Sequence, residues 1–273
     1  MGQALELITG NATAPSTTFT GLTVATGNSL TIRSAPLSSQ ISLLSAWAFN
    51  NGAGAFRIRS PRLHDYNQGI RMIVDATDPT PRYPRWQFQQ NLIPQDVLTA
   101  ELTGSGTGGK IECASILVYY SDLPGISGRF INPQQLARWG VNMMGQEVDV
   151  TAGSAGGYSG QVAVNSLANC DNWKANTDYA LMGYNVSANC CSIRVQGVDA
   201  GNLGIGGPGL ASNPDLCANW FCWLSDYYNI SAIPIFNAAN KNAILVDVAQ
   251  NDGGAAVKIT LYFVELKPAS MRN

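Results

Sequence analysis

Short runs of apolar and β-branched residues, broken at intervals of about 8–12 residues by Gly, Pro, Asn and Asp, set the pattern of this chain. Leu30-Thr31-Ile32-Arg33 and Gln161-Val162-Ala163-Val164 alternate with period two, as a strand with one face on a core does. Ile244-Leu245-Val246-Asp247-Val248 is more apolar and suits the interior of a sandwich. The pattern predicts strands over 20–25, 29–33, 41–49, 55–60, 69–75, 83–90, 95–102 and 110–120. It predicts a second set over 146–151, 160–166, 178–187, 191–197, 203–206, 220–227, 232–236, 243–249 and 256–266. Asn50-Asn51-Gly52 and Asn251-Asp252-Gly253-Gly254 read as hairpin turns. One short helix is expected, capped by Asn132, with Pro133 in its first turn and Gln134 to Trp139 following. The segment from Met1 to about Thr18, rich in Ala, Thr and Pro, is expected to be an arm that reaches a neighbour and is dispensable for folding.

The two sets of strands resemble each other. Leu44-Ser45-Ala46-Trp47 lies 137 positions before Leu181-Met182-Gly183-Tyr184, and the same offset carries Phe56-Arg57-Ile58 onto Ile193-Arg194-Val195 and Gly69 onto Gly206. Ile93-Pro94 corresponds to Ile233-Pro234 at an offset of 140. Gly108-Gly109 with Ile116-Leu117-Val118-Tyr119 corresponds to Gly253-Gly254 with Leu261-Tyr262-Phe263-Val264 at 145. Small loop insertions explain the drift. A unit of this length is a whole domain, not one turn of a solenoid. The fold class expected is therefore all-β, with two tandem jelly-roll or β-sandwich units related by internal duplication. The first spans 1–127 with its N-terminal arm and the second spans 128–273, joined near Ser121-Asp122-Leu123-Pro124-Gly125-Ile126-Ser127-Gly128.

Composition narrows the function classes. Only 12% of the 273 residues are charged, about half the usual share, and the net charge is −2. That excludes a generally basic nucleic-acid binder and suggests a surface buried in an assembly. The opening Met1-Gly2-Gln3-Ala4-Leu5-Glu6 has no basic and apolar signal regions, and Glu6 stands where a myristoylation signal carries Ser or Thr. No apolar run reaches membrane-helix length. Synthesis in a host cytoplasm is expected, and the Asn-x-Ser/Thr triplets at Asn11, Asn185 and Asn229 then carry no sugar. The six cysteines, Cys113, Cys170, Cys190, Cys191, Cys217 and Cys222, form no Cys-x-x-Cys pair, and His64 is the sole histidine, so no zinc site is expected. They read as buried thiols, with a Cys217–Cys222 disulfide as the alternative.

The chain offers little catalytic chemistry. Gly-x-Ser-x-Gly and the phosphate loop are missing, and Pro208 in the Gly-rich run 201–209 opposes a helix at the required place. His64 and Asp65 are adjacent, which on a strand puts them on opposite faces. Asp75, Asp78, Asp149 and Asp247 lack calcium-loop spacing. No catalytic, cofactor-binding or metal-ligating residue is assigned, and no cofactor or small-molecule substrate is expected. Arg57, Arg59, Arg62, Arg71, Arg82 and Arg85 gather basic charge and are the candidate subunit-interface residues. Trp86, Phe88, Trp220, Phe221, Trp223, Tyr227 and Tyr228 are read as lying in equivalent strands, either filling cores or forming a sugar platform.

In its duplicated strand-rich unit, low charge and lack of an active-site motif the chain resembles the double jelly-roll major capsid proteins of viruses, including phages. The resemblance is architectural, covers almost the whole chain and rests on no short motif. It implies a structural virion protein, not an enzyme, whose subunits form homotrimers that act as pseudo-hexagonal capsomers of an icosahedral shell. The partners implied are other copies of the chain, other virion proteins, and an underlying membrane or genome. The alternatives are a capsid decoration, minor or vertex protein of a phage, a tandem carbohydrate-binding module using Trp86 and Trp220, and a glycosidase with two carboxylates.

Overall fold

The computed structural model describes residues 2–13, 17–24, 31–50, 52, 54–63, 68–74, 78–81, 90–104, 111–151, 153–168, 171–250 and 256–272. In chain order the first strands are β1 (Ala4–Thr13), β2 (Thr20–Gly21), β3 (Thr23–Val24), β4 (Ile41–Phe49), β5 (Gly54–Arg59), β6 (Ile70–Val74), β7 (Gln90–Asn91), β8 (Thr99–Thr103) and β9 (Ile111–Tyr120). They form sheet I, ordered β2-β8-β5-β6, and sheet II, ordered β3-β1-β9-β4-β7. After β10 (Phe130–Ile131) and helix α1 (Pro133–Trp139) come β11 (Gly140–Thr151), β12 (Val162–Ala163), β13 (Asp178–Val186), β14 (Cys190–Gln196) and β15 (Ile205–Gly209). Helices α2 (Pro214–Ala218) and α3 (Trp220–Tyr228) then precede β16 (Ile233–Asn237), β17 (Leu245–Ala249) and β18 (Ala256–Leu266). These strands form sheet III, ordered β12-β17-β14-β15, and sheet IV, ordered β10-β16-β13-β18-β11. All pairings are antiparallel.

With β3 and β10 set aside as added edge strands, each sandwich holds eight strands. Their order is first-eighth-third-sixth in one sheet and second-seventh-fourth-fifth in the other. That is the jelly-roll order, and both sandwiches have it. They also share a bulge, between Leu43 and Ser45 of β4 and between Leu181 and Gly183 of β13. The bulges correct the sequence alignment of these two strands by one residue. They set Ala46, not Trp47, in the place of Tyr184. One residue reverses the face: Tyr184 points into its own sandwich, where its hydroxyl donates to Pro208 O at 3.1 Å. Trp47 points out of its sandwich and donates through Nε1 to Cys191 O at 2.6 Å. Likewise Arg71, not Gly69, corresponds to Gly206, because each pairs with the arginine of the preceding strand, Arg57 or Arg194.

The four sheets stack in the order I, II, III, IV. One core lies between I and II, where Ile8, Leu43, Ala46, Ile116 and Val118 meet Phe56, Ile58, Met72 and Leu102. The other lies between III and IV and continues onto the far face of sheet II, taking in Leu5, Leu7, Leu44, Trp47, Leu117 and Tyr119. Sheet II is therefore covered on both faces, and every residue of β4 is buried. Glycines let its partner come close. A Cβ on Gly206 would lie 1.9 Å from Ile193 O and 3.2 Å from Leu7 Cδ2, so this strand crossing accepts no side chain.

Several sequence expectations fail. The N-terminal segment is not an arm, because residues 4–13 form β1, which pairs with the whole of β9 in the middle of sheet II. Its Glu6, which obscures the apolar pattern, is 2% exposed and held by Arg33 at 2.6 Å and by the Tyr120 hydroxyl at 3.0 Å. The predicted strand over 220–227 is helix α3. Asn213 and Pro214 start a helical segment just upstream, Trp220, Trp223 and Tyr227 stack in succession at centroid distances of 5.5 and 5.3 Å, and Asn229 ends the helix in the left-handed region. A short continuous apolar run does not distinguish a buried helix from a buried strand. Helix α1 forms as expected, with a full capping box between Asn132 and Gln135. Neither expected hairpin forms, because β4 and β5, and likewise β17 and β18, lie in different sheets and each turn crosses from one layer to the other. Of the predicted strand 29–33 the described residues 31–33 make only an isolated bridge from Thr31 to Val97. Residues 29–30, 51, 83–89 and 251–254 lie outside the described residues.

Deleting residues 2–16 removes a central strand, so the truncated protein is expected to lose its cooperative thermal transition by circular dichroism. A truncated protein that melts as sharply as the full chain would refute this role for β1.

Candidate assembly surface

Three of the six candidate arginines sit together on the outer face of sheet I. Arg57 on β5 lies opposite Glu101 on β8 and Arg71 on β6. Arg57 Nε donates to Glu101 Oε2 at 2.8 Å, and Arg59 Nε donates to the same oxygen at 2.9 Å. The Arg57 guanidinium lies 4.0 Å from the centroid of the Phe19 ring, and that of Arg71 lies at 5.1 Å. Partial burial would raise the pKa of Glu101, but the hydrogen bonds from Arg59 and Arg57 outweigh it and hold the carboxyl below its usual range. Arg71 is exposed, and beside it Ile73 is 77% exposed. Arg62 lies in the turn after β5, while Arg82 and Arg85 lie outside the described residues.

Sheet III carries a matching constellation that sequence reasoning missed. Arg194 on β14 lies opposite Asp247 on β17, and its Nε donates to Asp247 Oδ1 at 2.9 Å. Its guanidinium lies 3.9 Å from the centroid of the Tyr158 ring. The alignment of Phe56-Arg57-Ile58 with Ile193-Arg194-Val195 contained the signal; the acidic partners lie too far along the chain to be read from it. Here the face is buried against sheet II. Thr9 of β1 shares hydrogen bonds with Tyr158 Oη at 2.8 Å, Ser192 Oγ at 3.0 Å and Ser115 Oγ at 2.9 Å. Leu7 N donates to Gly204 O at 2.8 Å. Burial raises the pKa of Asp247 despite Arg194, and burial likewise pushes the Tyr158 hydroxyl up.

A second polar cluster ties the connection between the sandwiches and the C-terminal segment to sheet IV. Asp178 accepts from Arg129 at 2.5 Å, Arg272 at 2.8 Å and Asn237 Nδ2 at 2.7 Å. Burial alone would raise its pKa, but these donors more than offset that and bring it from 3.8 to about 2.

No family model matches this chain, and no curated protein matches it. Among solved structures it is loosely similar to the PBSX exported protein XepA, with 12% identity, a TM-score of 0.26, and 95% of this chain and 86% of that one covered. It is similar in the same loose way to a chain in the atomic structure of Sulfolobus Turreted Icosahedral Virus, with 13% identity, a TM-score of 0.21, and 98% and 86% covered. Scores this low carry no functional weight.

The remaining candidates are scattered. Asp78 bonds Thr80 at 2.6 Å, Asp149 faces out from sheet IV, and Asp247 is paired with Arg194; Asp75, His64 and Asp65 lie outside the described residues. Among the described residues no three His, Cys, Asp or Glu side chains gather as a metal site, and no helix is long and apolar enough to cross a membrane. Cys217 and Cys222 are free thiols on separate helices, not a disulfide; Cys217 donates to Pro208 O at 3.4 Å, and burial pushes both thiols up to about 11. Cys113, Cys190 and Cys191 are also free and buried, and Cys170 lies outside the described residues. Trp220 is 0% exposed, packed edge-on to Trp47 at 5.9 Å and bonded to Gly206 O at 2.8 Å, so it is a core residue and offers no sugar platform. Trp86 and Phe88 lie outside the described residues.

Two outcomes are expected. Trp220→Ala should cost about 3–5 kcal/mol in chemical denaturation, as emptying a large core site does; a loss below about 1 kcal/mol would contradict its placement. Asp178→Asn tests the cluster by pH. Because folding depresses the Asp178 pKa, its stabilisation is present above the unfolded value of 3.8 and is lost as pH falls towards about 2. Allowing for solvent at Arg129, whose side chain is 40% exposed, the variant should lose about 1–2 kcal/mol at pH 7. At about pH 2 the deficit should shrink to a fraction of that; an undiminished deficit would exclude the ion-pair account.

Proposed function

We propose that this chain is a structural virion protein, and specifically a major capsid protein whose subunits trimerise into pseudo-hexagonal capsomers of an icosahedral shell. The observation that carries this reading is the stacking of two sandwiches of the same jelly-roll order in one chain. Three such chains supply six similar building blocks, so a threefold assembly approximates sixfold packing. Descent of the two sandwiches from one duplicated unit accounts for their common strand order and bulge. The low charge of the chain, 12% of residues, favours many repeated contacts with little self-repulsion. In this reading the chain acts by self-association and by contact with other virion proteins, resides in the virion, and has no catalytic role.

Size-exclusion chromatography with light scattering tests it. The expected mass is three times the 29.0 kDa chain, or that of shell-like particles. A strict monomer at high concentration would overturn the proposal.

A further inference from the structure

Within one chain the outer face of sheet II lies on the outer face of sheet III. This leaves the outer face of sheet I and, on sheet IV, the side along β11, because Ala180 and Ile235 on the same face are buried where α2 and α3 pack on β13 and β16. By strand order sheet I is the counterpart of sheet III, and sheet IV is the counterpart of sheet II. Along β11 and sheet I the remaining pair offers strands that correspond to those already joined at β1 and sheet III.

The side chains repeat the relation. On sheet III an aromatic ring over an arginine that grips a carboxylate, Tyr158–Arg194–Asp247, receives Thr9 of β1. On sheet I the same constellation, Phe19–Arg57–Glu101, stands at the same strand positions with Arg71 and Ile73 exposed beside it. The opposing faces can be matched as well. Leu7 pairs with Leu117 and Gly145 with Tyr262, each next to the shared bulge, so β11 aligns with β1. Leu5, buried between the sandwiches, corresponds to Met143, which is 66% exposed. Thr9 and Asn11 correspond to Glu147 and Asp149, whose side chains are 42% and 50% exposed, with Lys258 alongside. The acidic pair of sheet IV thus occupies the place from which β1 reaches the aromatic–arginine constellation, and the face it would meet is arginine-rich.

We propose that the occupant of both surfaces is a second copy of this chain: the outer face of sheet I of one copy docks head to tail on the β11 side of sheet IV of the next. Glu147 and Asp149 meet the Arg57–Arg71 surface beside Phe19, and Met143 packs against its apolar part. Such a heterologous contact closes into a ring or runs on as a filament. In a ring of three, six sandwiches are joined by three contacts within chains and three between them. This inference rests on the trimer reading and names the surface that builds it.

The test uses the full chain and three variants, each measured by light scattering and by thermal melting. Arg71→Glu with Ile73→Asp on sheet I, and Glu147→Lys with Asp149→Lys on sheet IV, should each reduce the wild-type oligomer to the 29.0 kDa monomer without shifting the melt of the monomer. Arg71→Glu combined with Glu147→Lys in one chain restores opposite charges across every contact and should recover the oligomer. A wild-type trimer that survives the sheet I or the sheet IV substitutions would overturn the docking surface and leave the capsid reading standing. A wild-type monomer would overturn both.

Discussion

Sheet II has no face left for water, and the rest of the molecule is arranged around that fact. Its strands are apolar on both sides, as in the middle layer of a sandwich of sandwiches, so the first jelly roll is complete only when the second covers it. The union is more than apolar. Trp47, the Leu7 amide and the Thr9 hydroxyl each bond to the second sandwich, and the Tyr228 hydroxyl bonds back to the Leu44 carbonyl. Such buried polar groups add little net stability, but each loses a full partner if the sheets slide. They fix one register where greasy faces alone would tolerate several.

The two outward faces have a different character. Positions that hold Leu5, Leu7 and Thr9 on sheet II hold Met143, Gly145 and Glu147 on sheet IV. The exchange of bulk for polarity suits a face that meets water in the free chain and a partner only in an assembly. The buried Arg194–Asp247 pair and the more open Arg57–Glu101 pair show the same chemistry in two dielectric settings. In the buried pair the cost of removing charge from water dominates the carboxylate; in the more open pair the arginines do.

Much of the fold was legible in the residues because strand period and turn chemistry are local. The bounds of β4 and β18 coincide with the apolar runs, and the capping signals of Asn132 and Pro133 mark α1. What was not legible depends on partners distant in sequence. Glu6 makes β1 look like a polar tail until Arg33 and Tyr120 are placed beside it. Trp220 and Trp223 suit a strand or a helix equally until Trp47 and β13 define the space they fill. The arginine cluster was visible as charge, but its organisation around Phe19 and Glu101 required the sheet. The offset of one residue at Trp47 has the same origin, since a bulge changes which side of a sheet a residue serves without changing its composition.

The placement of β1 also imposes an order on biosynthesis. This strand leaves the ribosome well before its partner β9, which begins only at Ile111, so sheet II stays open through most of the first sandwich. When it does close, its Trp47 face still lacks the covering strands β14 and β15, the later of which ends at Gly209. At ordinary translation speeds this greasy sheet stays bare for on the order of ten seconds. The nascent protein spends that interval as a half-built object with one adhesive side. On a crowded polysome, neighbouring chains present the same side at the same time, so tethering the cover to the same polypeptide keeps the correct partner closer than any competitor.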